Sequence, residues 1–321
     1  MMEHLVAITI AVTLDYIIGD PRWLPHPVRG IGMLISFLEK RLNQGGNRKL
    51  KGVMAVFTVC IMVYTVSLVI SYVSHHISTI LGVLVESIII FTTIATKSLK
   101  DAAHEVYTPL EQGNLHSARH ELSMIVGRDT DKLDEKEIVR GCVETVAENT
   151  NDGITAPLFY ALFGGAPFAM VYRAVNTCDA MLGYKNERFL HFGWASARLD
   201  DLLNYLPARL TAFVMILANA KTFNCSLREC VQILLRDARK HPSPNSGWGE
   251  AAMAVLLGVQ LGGQNTYKGV VSMRPKLGEP RVRLAAVHIH GAVKVMLRTV
   301  AAFVALLLIG GTLIAFTFSW G

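Results

Sequence analysis

Two long stretches without a charged residue decide what this chain can fold into. Gly52 to Ser74 runs for 23 residues, and Thr299 to Trp320 for 22, with no Asp, Glu, Lys, Arg or His. A bilayer core of about 30 Å takes about 20 apolar residues as a helix, so both can span it. A large soluble core could bury one such helix. Two of them, in a chain of which only 17% is charged, point to an integral membrane protein, because ordinary soluble domains carry about 25% charged residues.

Five further apolar segments are less regular. Residues 5–19 are short and carry Asp15; 80–96 is interrupted by Glu86; 153–172 contains Pro157, Gly164-Gly165 and Pro167; 202–220 contains Arg209; 251–263 is too short to cross. Proline and paired glycines break or kink helices. Irregular backbone at membrane depth is tolerated where it lines a polar cavity. The expected fold is all-α, a polytopic membrane protein with about five to seven embedded segments, some broken or re-entrant, joined by cytoplasmic helical connectors. It reads as one membrane-embedded domain over 1–321, with 97–152 the largest soluble connector and 153–263 the catalytic core. Glu3 and His4 precede the first apolar run, so the start reads as a weak span rather than a cleavable leader.

Lys and Arg counts set the expected orientation, since cytoplasmic loops retain cations. Segments 20–51, 97–152 and 268–298 hold seven each and 221–250 holds five, whereas 75–79 holds none. Spans 52–74 and 80–96 therefore form a hairpin whose tip faces outward. The connector 173–201, with four cations, lies on the cytoplasmic side if its flanking segments fold back. The net charge of +6 fits this retention rather than nucleic-acid binding. The cysteines at 60, 142, 178, 225 and 230 form no CxxC pair or Cys/His cluster and read as small apolar residues.

Polar motifs gather in five places. Asp20, His26 and Arg29 lie on a run with prolines at 21, 25 and 27, a rigid path suited to a binding loop or to a stiff interfacial turn. Arg128, Asp129 and Thr130 follow Gly127; an arginine there can grip a phosphate, and Asp129 or Thr130 can equally cap a helix. Glu144, Glu148, Asn149, Asn151 and Asp152 crowd the end of an expected helix, just before an apolar run. Such an oxygen-rich set suits Mg²⁺, which takes one or two carboxylates and phosphate oxygens, although a solvated face ending in a turn has the same look. Between 173 and 209 stand Asn176, Asp179, Lys185, Arg198, Asp200, Asp201 and Arg209, the last a functional candidate by its place in an apolar run. Finally Arg236, Arg239, Lys240 and His241 precede Pro-Ser-Pro-Asn245-Ser-Gly-Trp248-Gly and Glu250, a loop whose backbone can approach a ligand closely or a plain connector. No GxxxxGK[ST], GxSxG, HExxH or GxGxxG occurs. The residues alone give a polar, anion-binding and Mg²⁺-compatible site, shared by enzymes and transporters.

Long stretches carry a resemblance. GDPRWLPHPVRGIG, VGRDT at 126–130, ETVAENTNDGITAPLFYALFGGAPFAMVYRAVNTCDAMLGYKNERF at 144–189, SARLDDLLNYLPARL at 196–210 and SPNSGWGEAAMAVLLGVQLGG at 243–263 resemble the adenosylcobinamide-phosphate synthase family (CobD/CbiB type), membrane proteins of bacterial and archaeal cobalamin biosynthesis. The resemblance implies a cytoplasmic-membrane ligase using ATP and Mg²⁺. It would join a propionate carboxylate of adenosylcobyric acid to the amine of aminopropanol phosphate, or ethanolamine phosphate in some relatives. The lipid bilayer and other membrane enzymes of the same pathway are its expected partners. On that reading Glu148 and Asp152 are the preferred Mg²⁺ ligands, with Asp179, Asp200 or Asp201 as rivals. Arg128, Lys185, Arg198, Arg239 and Lys240 would meet phosphate; Glu144, His26 or Glu250 would take the amine proton. Asn149, Asn176 and Asn245 would orient ligands, Asp20, Arg29 and Asp129 would line the site, and Trp248 would pack on the corrin. A corrinoid transporter and a membrane signalling protein are the readings from other classes.

Overall fold

The computed structural model describes residues 1–20 and 26–318. Its helices, in chain order, are α1 (Met2–Ile17), α2 (Pro27–Leu42), α3 (Arg48–Ile77), α4 (Thr79–Phe91), α5 (Thr96–Glu111), α6 (Leu115–Ser123), α7 (Glu135–Thr150), α8 (Ala156–Leu182), α9 (Trp194–Leu203), α10 (Tyr205–Asn219), α11 (Leu227–Asp237), α12 (Ser246–Leu257) and α13 (Val287–Phe318). An antiparallel hairpin, β1 (Leu261–Tyr267) with β2 (Val270–Leu277), interrupts the helices. Four helical stretches are long and apolar enough to cross a bilayer: Arg48–Ile77, Thr79–Glu111, Glu135–Leu182 and Val287–Thr317. α9 and α10 add a fifth if counted as one span bent by 45°. This is a predominantly helical, polytopic membrane protein with a broken span, as the apolar pattern requires. The run at 5–19 becomes a helix of only 16 residues.

The hairpin is the departure from an all-helical chain. Lys268 and Gly269 connect its strands with φ of +50° and +79°, the left-handed pair of a two-residue turn that matches strand twist. Tyr267 faces Val270 and Thr266 faces Val271 across it, so β-branched and aromatic residues flank a Lys-Gly turn.

The chain divides into two compact units built from interleaved segments: Met1–Ala95, Asp152–Asn204 and Val304–Gly321 in the first, Thr96–Asn151 and Tyr205–Phe303 in the second. In the first, Ile31 and Ile35 of α2 pack with Val56 and Val59 of α3, with Met170 and Leu182 of α8, and with Phe192. Gly52 makes this possible, because a Cβ there would overlap the Phe192 carbonyl. Arg188 closes the edge with two hydrogen bonds to Glu39, 3.0 and 2.9 Å; that bond, against burial, holds the Glu39 carboxyl below its usual range.

Two helix irregularities have definite causes. The helix was expected to end at Asp152; it continues instead through a π-turn, Asn151–Thr155, into α8. Pro157 has no N–H to give to the Gly153 carbonyl, and the Ala95 N–H takes its place at 3.0 Å. The true break lies inside α8, where Gly164 and Gly165 leave helical geometry and Gly165 has φ +60°. There the Ala166 N–H is capped by Glu86 of α4 at 3.0 Å. His4 and His75 also approach that carboxyl, at 2.9 and 3.5 Å. Glu86, an anomaly in an apolar segment, is thus the partner that the break requires. Glu86→Leu should lower stability by about 1–3 kcal/mol, the range for stranding a buried donor, and Glu86→Gln by less. Thermal unfolding in detergent reads this, and equal stability of Glu86→Leu and wild type would remove the capping role.

In the second unit α7 begins on a capping box between Asp134 and Glu137. It buries Ile138, Val139, Val143 and Val146, and also Arg140 and Glu144. α12 approaches α7 closely at Gly249, where a Cβ would lie 2.7 Å from the Ala147 carbonyl. Asp237 closes α11: burial opposes its charge, but Arg236 and Lys240 at 2.8 and 2.6 Å and the Gly278 N–H hold its carboxyl at about 2. Cys225 and Cys230 are joined as a disulfide, unlike their reading as independent apolar residues.

Candidate active site

Residues four apart share a helix face, and α7 uses this twice, from Arg140 to Glu144 and from Glu144 to Glu148. Glu144 and Glu148 repel each other on this face, and Arg140 with the hairpin and its flanks supply the partners. Arg128 bonds Glu144 at 2.5 Å and the Asn265 side-chain oxygen at 2.7 Å. Arg140 donates to the carbonyls of Gly262 and Gln264, both at 2.6 Å, and to the same Asn265 oxygen at 3.1 Å. The Gly262 N–H completes the set on Glu144 at 2.8 Å. Glu144 is thereby fixed on all sides.

Glu148 lies one turn further along and is half-buried. It accepts from the Ser246 hydroxyl at 2.8 Å, which itself lies 3.1 Å from that of Ser243. Behind it, Glu250 of α12 is only 3% exposed. Burial pushes its carboxyl well above the usual carboxylate range, and the charges of Glu144 and Glu148 add to this against Arg274 and Arg128. His241 stands 3.6 Å from Glu250 and 2.8 Å from Arg274. Burial, then the Arg274 charge, lowers its imidazole below 6.5. The pair is therefore a carboxyl held towards its neutral form 3.6 Å from an imidazole that resists protonation, with the imidazole Nε2 hydrogen-bonded to Arg274 and not to Glu250.

On the flank of this cluster, Arg209 accounts for itself. Its guanidinium lies over the rings of Tyr205 and Trp248, at 3.5 and 4.9 Å, and reaches Asn245 at 3.3 Å. Trp248 is 6% exposed, so its ring supports Arg209 rather than offering an open platform. Asp129 caps the hairpin tip through the N–H groups of Lys268 and Gly269, at 2.9 and 2.8 Å; the helix cap falls to Asp134. Lys240 is engaged by Asp237, Arg239 is exposed, and Asn149 bonds back to the Thr145 carbonyl.

A second polar group lies in the first unit. Asp200 of α9 accepts from Asn176 at 3.3 Å and from Asn204 at 3.1 Å, and Asp179 is near enough to repel it. Tyr172 bridges the Asn204 side chain at 2.8 Å and the Asp152 carbonyl at 3.3 Å. Arg173 is drawn towards Asp20 and Asp152. Asp201 is instead 3.9 Å from Arg198, and Lys185 is exposed. His26 caps α2 and lies 3.4 Å from Asp20, with Arg29 exposed beyond it; Pro21 to Pro25 of that motif lie outside the described residues. Among the described residues no three of His, Cys, Asp and Glu converge to hold a metal.

So the structure gathers Arg128, Glu144, Glu148 and Glu250 in one unit, and Asn176, Asp179 and Asp200 in the other. Sequence reasoning missed Arg140, Asn265 and Arg274, and named His241 and Ser246 only within the loop motif, without a role. The four-residue spacing of Arg140 from Glu144 was a usable signal; Asn265 and Arg274 stand on the unrecognised hairpin.

The family described as CobD/Cbib protein matches residues 8–296. The chain belongs to the CobD/CbiB family. It is 54% identical over 315 residues to the cobalamin biosynthesis protein CobD of Halalkalibacterium halodurans, covering 98% of this chain and 99% of that one. The proteins of the same name from Leptospira interrogans and Geobacter metallireducens are each 48% identical, over 85% and 92% of this chain and 87% and 93% of theirs. No solved structure matches. The CobD/CbiB match takes in every candidate from Asp20 to Glu250, and thus both polar groups.

Proposed function

We propose that this chain acts in cobalamin biosynthesis, in the cytoplasmic membrane of a bacterium or archaeon, as an ATP- and Mg²⁺-dependent ligase. It forms the amide between a propionate of adenosylcobyric acid and aminopropanol phosphate, giving adenosylcobinamide phosphate. Family membership and the names of the relatives support the pathway. The observation that carries the chemistry is the buried Glu250–His241 pair behind half-exposed Glu148.

On this reading a carboxylate oxygen attacks the terminal phosphorus of ATP, releasing ADP and leaving an acyl phosphate. The amine then attacks the acyl carbon, phosphate leaves with the bonding pair, and the nitrogen loses a proton. Glu148, the most exposed carboxylate of the cluster, is the acceptor we assign to that proton. His241, held neutral, is the next acceptor, and Glu250 the acid beside it. Glu144 with Arg128 and Arg140 positions the α7 face. For Mg²⁺ the candidate carboxylates are Asp179 and Asp200 of the first unit, which would offer the ion anionic oxygens; Asn176 and Asn204 donate N–H to Asp200 and would orient it. Glu148 and Asp152 are the second candidates.

Purified protein in detergent, given adenosylcobyric acid, aminopropanol phosphate, ATP and Mg²⁺, should yield the amide. No product from folded protein sinks the ligase reading. Glu148→Gln and Asp152→Asn should each lose turnover by at least about a hundredfold, the scale of a lost acid–base group, while remaining folded. Wild-type activity in both removes them from the site.

A further inference from the structure

A nucleotide-dependent ligase needs somewhere to hold phosphates, and this chain has no Walker-type loop. Within the second unit, a cleft of about 550 Å³ runs between the start of α7, the first residues of β1 and the segment after β2. That volume lies in the ordinary range for small-molecule sites. Five cations line it (Lys136, Arg140, Lys276, Arg281 and Arg283) against two acids, Asp134 and Glu137.

The bookkeeping of partners is what makes the cleft unusual. Both acids are consumed by the capping box of α7: Asp134 accepts from the Glu137 N–H at 2.8 Å and Glu137 from the Asp134 N–H at 3.4 Å. Arg140 is spent on hairpin carbonyls, and Arg281 on Glu229 and Glu279. Lys136, Lys276 and Arg283 have no ion pair among the described residues. These three cations outnumber the two capping carboxylates in the same concavity, so the cleft favours an anion. Pro280, Val282 and Leu284 line the same cleft, giving an apolar surface that a bare phosphate would not need and a base would use. Gly262 joins the cleft to the carboxylate cluster, since its carbonyl accepts from Arg140 and its N–H serves Glu144.

We propose that this cleft binds a nucleoside triphosphate, with Lys136, Lys276 and Arg283 meeting its phosphates and the Pro280–Leu284 segment meeting its base. The inference rests on the ligase reading for its choice of nucleotide, but is tested by binding alone. Full-length protein in nanodiscs of phosphatidylcholine is titrated with a non-hydrolysable ATP analogue and Mg²⁺. Wild type binds it, and Lys276→Gln with Arg283→Gln weakens the analogue by at least about tenfold, as expected for losing two phosphate partners, with adenosylcobyric acid affinity unchanged. In the wild type, the analogue also shields Lys136 and Lys276 from acetylation, which needs no variant to fold. Unchanged affinity in the double variant, or unshielded lysines, overturns the site. So does shielding by phosphatidylglycerol discs that the analogue cannot reverse, since the cleft then takes a lipid headgroup. Amide formation by wild type beside a failed site leaves the ligase standing; a working site without amide product leaves the site and removes the ligase.

Discussion

Glu250→Gln should fold as well as the parent and lose about a hundredfold or more of its turnover, the scale of a group that moves a proton. Glutamine has the shape of a protonated glutamic acid and none of its acidity. In the wild type Glu250 is already driven towards the neutral form by burial and by Glu144 and Glu148, so the amide replaces the native species almost without change. What it removes is the ability to release or recover the proton beside His241. A variant that turns over within about threefold of wild type would show that the pair is only packing.

The same substitution has a stability signature with a definite sign. Because the folded Glu250 carboxyl is held above its usual value of 4.5, the folded chain keeps a proton that the unfolded chain releases. Its contribution is full below pH 4.5 and is lost as pH rises towards the folded value. His241 runs the other way. Its folded value lies below 6.5, so its contribution is present above pH 6.5 and is lost as pH falls. Unfolding in detergent across pH should thus show Glu250→Gln flattening the alkaline limb and His241→Gln the acid limb. A purely structural Glu250 would leave turnover intact, and identical pH slopes in wild type and Glu250→Gln would refute the raised carboxyl.

The membrane character was legible because hydrophobicity over 20 residues has few soluble explanations. The first charge-free run reappears within Arg48–Ile77, and residues 299–317 of the second lie within Val287–Thr317. Pro157 and Gly164-Gly165 signalled irregular backbone, and irregular backbone is there. Their effects could not be read locally, because each depends on a distant partner: Ala95 lets the chain continue past Pro157, and Glu86 lets it stop at Gly165. The hairpin was less visible. Lys-Gly between β-branched residues is a turn signal, but in a chain scanned for apolar spans a seven-residue strand beginning Leu-Gly-Gly-Gln carries little weight. The two units interleave along the chain, so no linear boundary marks them.

Site residues were legible as types and not as partners. Glu144, Glu148 and Asp152 form one motif in sequence, yet Glu144 and Glu148 belong to the second unit and Asp152 to the first. Arg128, read as a phosphate ligand, is paired with Glu144 in the fold. Lys240 has been taken by Asp237 in the same way. Spacing reports which residues share a face; it does not report which charges a fold has already neutralised.

Arg128 gives the largest expected effect on stability. Its side chain and that of Glu144 are each 8% exposed, so Arg128→Ala strands a buried carboxylate and an Asn265 oxygen shared with Arg140. Removing one partner of a buried pair typically destabilises by about 3–5 kcal/mol. The Gly262 N–H at 2.8 Å and Arg140 at 3.7 Å remain on Glu144, which favours the lower end of that range. Arg128 and Asp129 also anchor the hairpin from one loop, so loss should be cooperative, with hydrogen exchange rising across β1 and β2 before α7. Combining Arg128→Met with Glu144→Gln removes both charges and should recover most of the loss, because desolvating a buried pair opposes its attraction. A loss under about 1 kcal/mol in Arg128→Ala, typical of exposed pairs, would mean that solvent reaches Glu144 and that the cluster is not the closed, low-dielectric group its geometry describes.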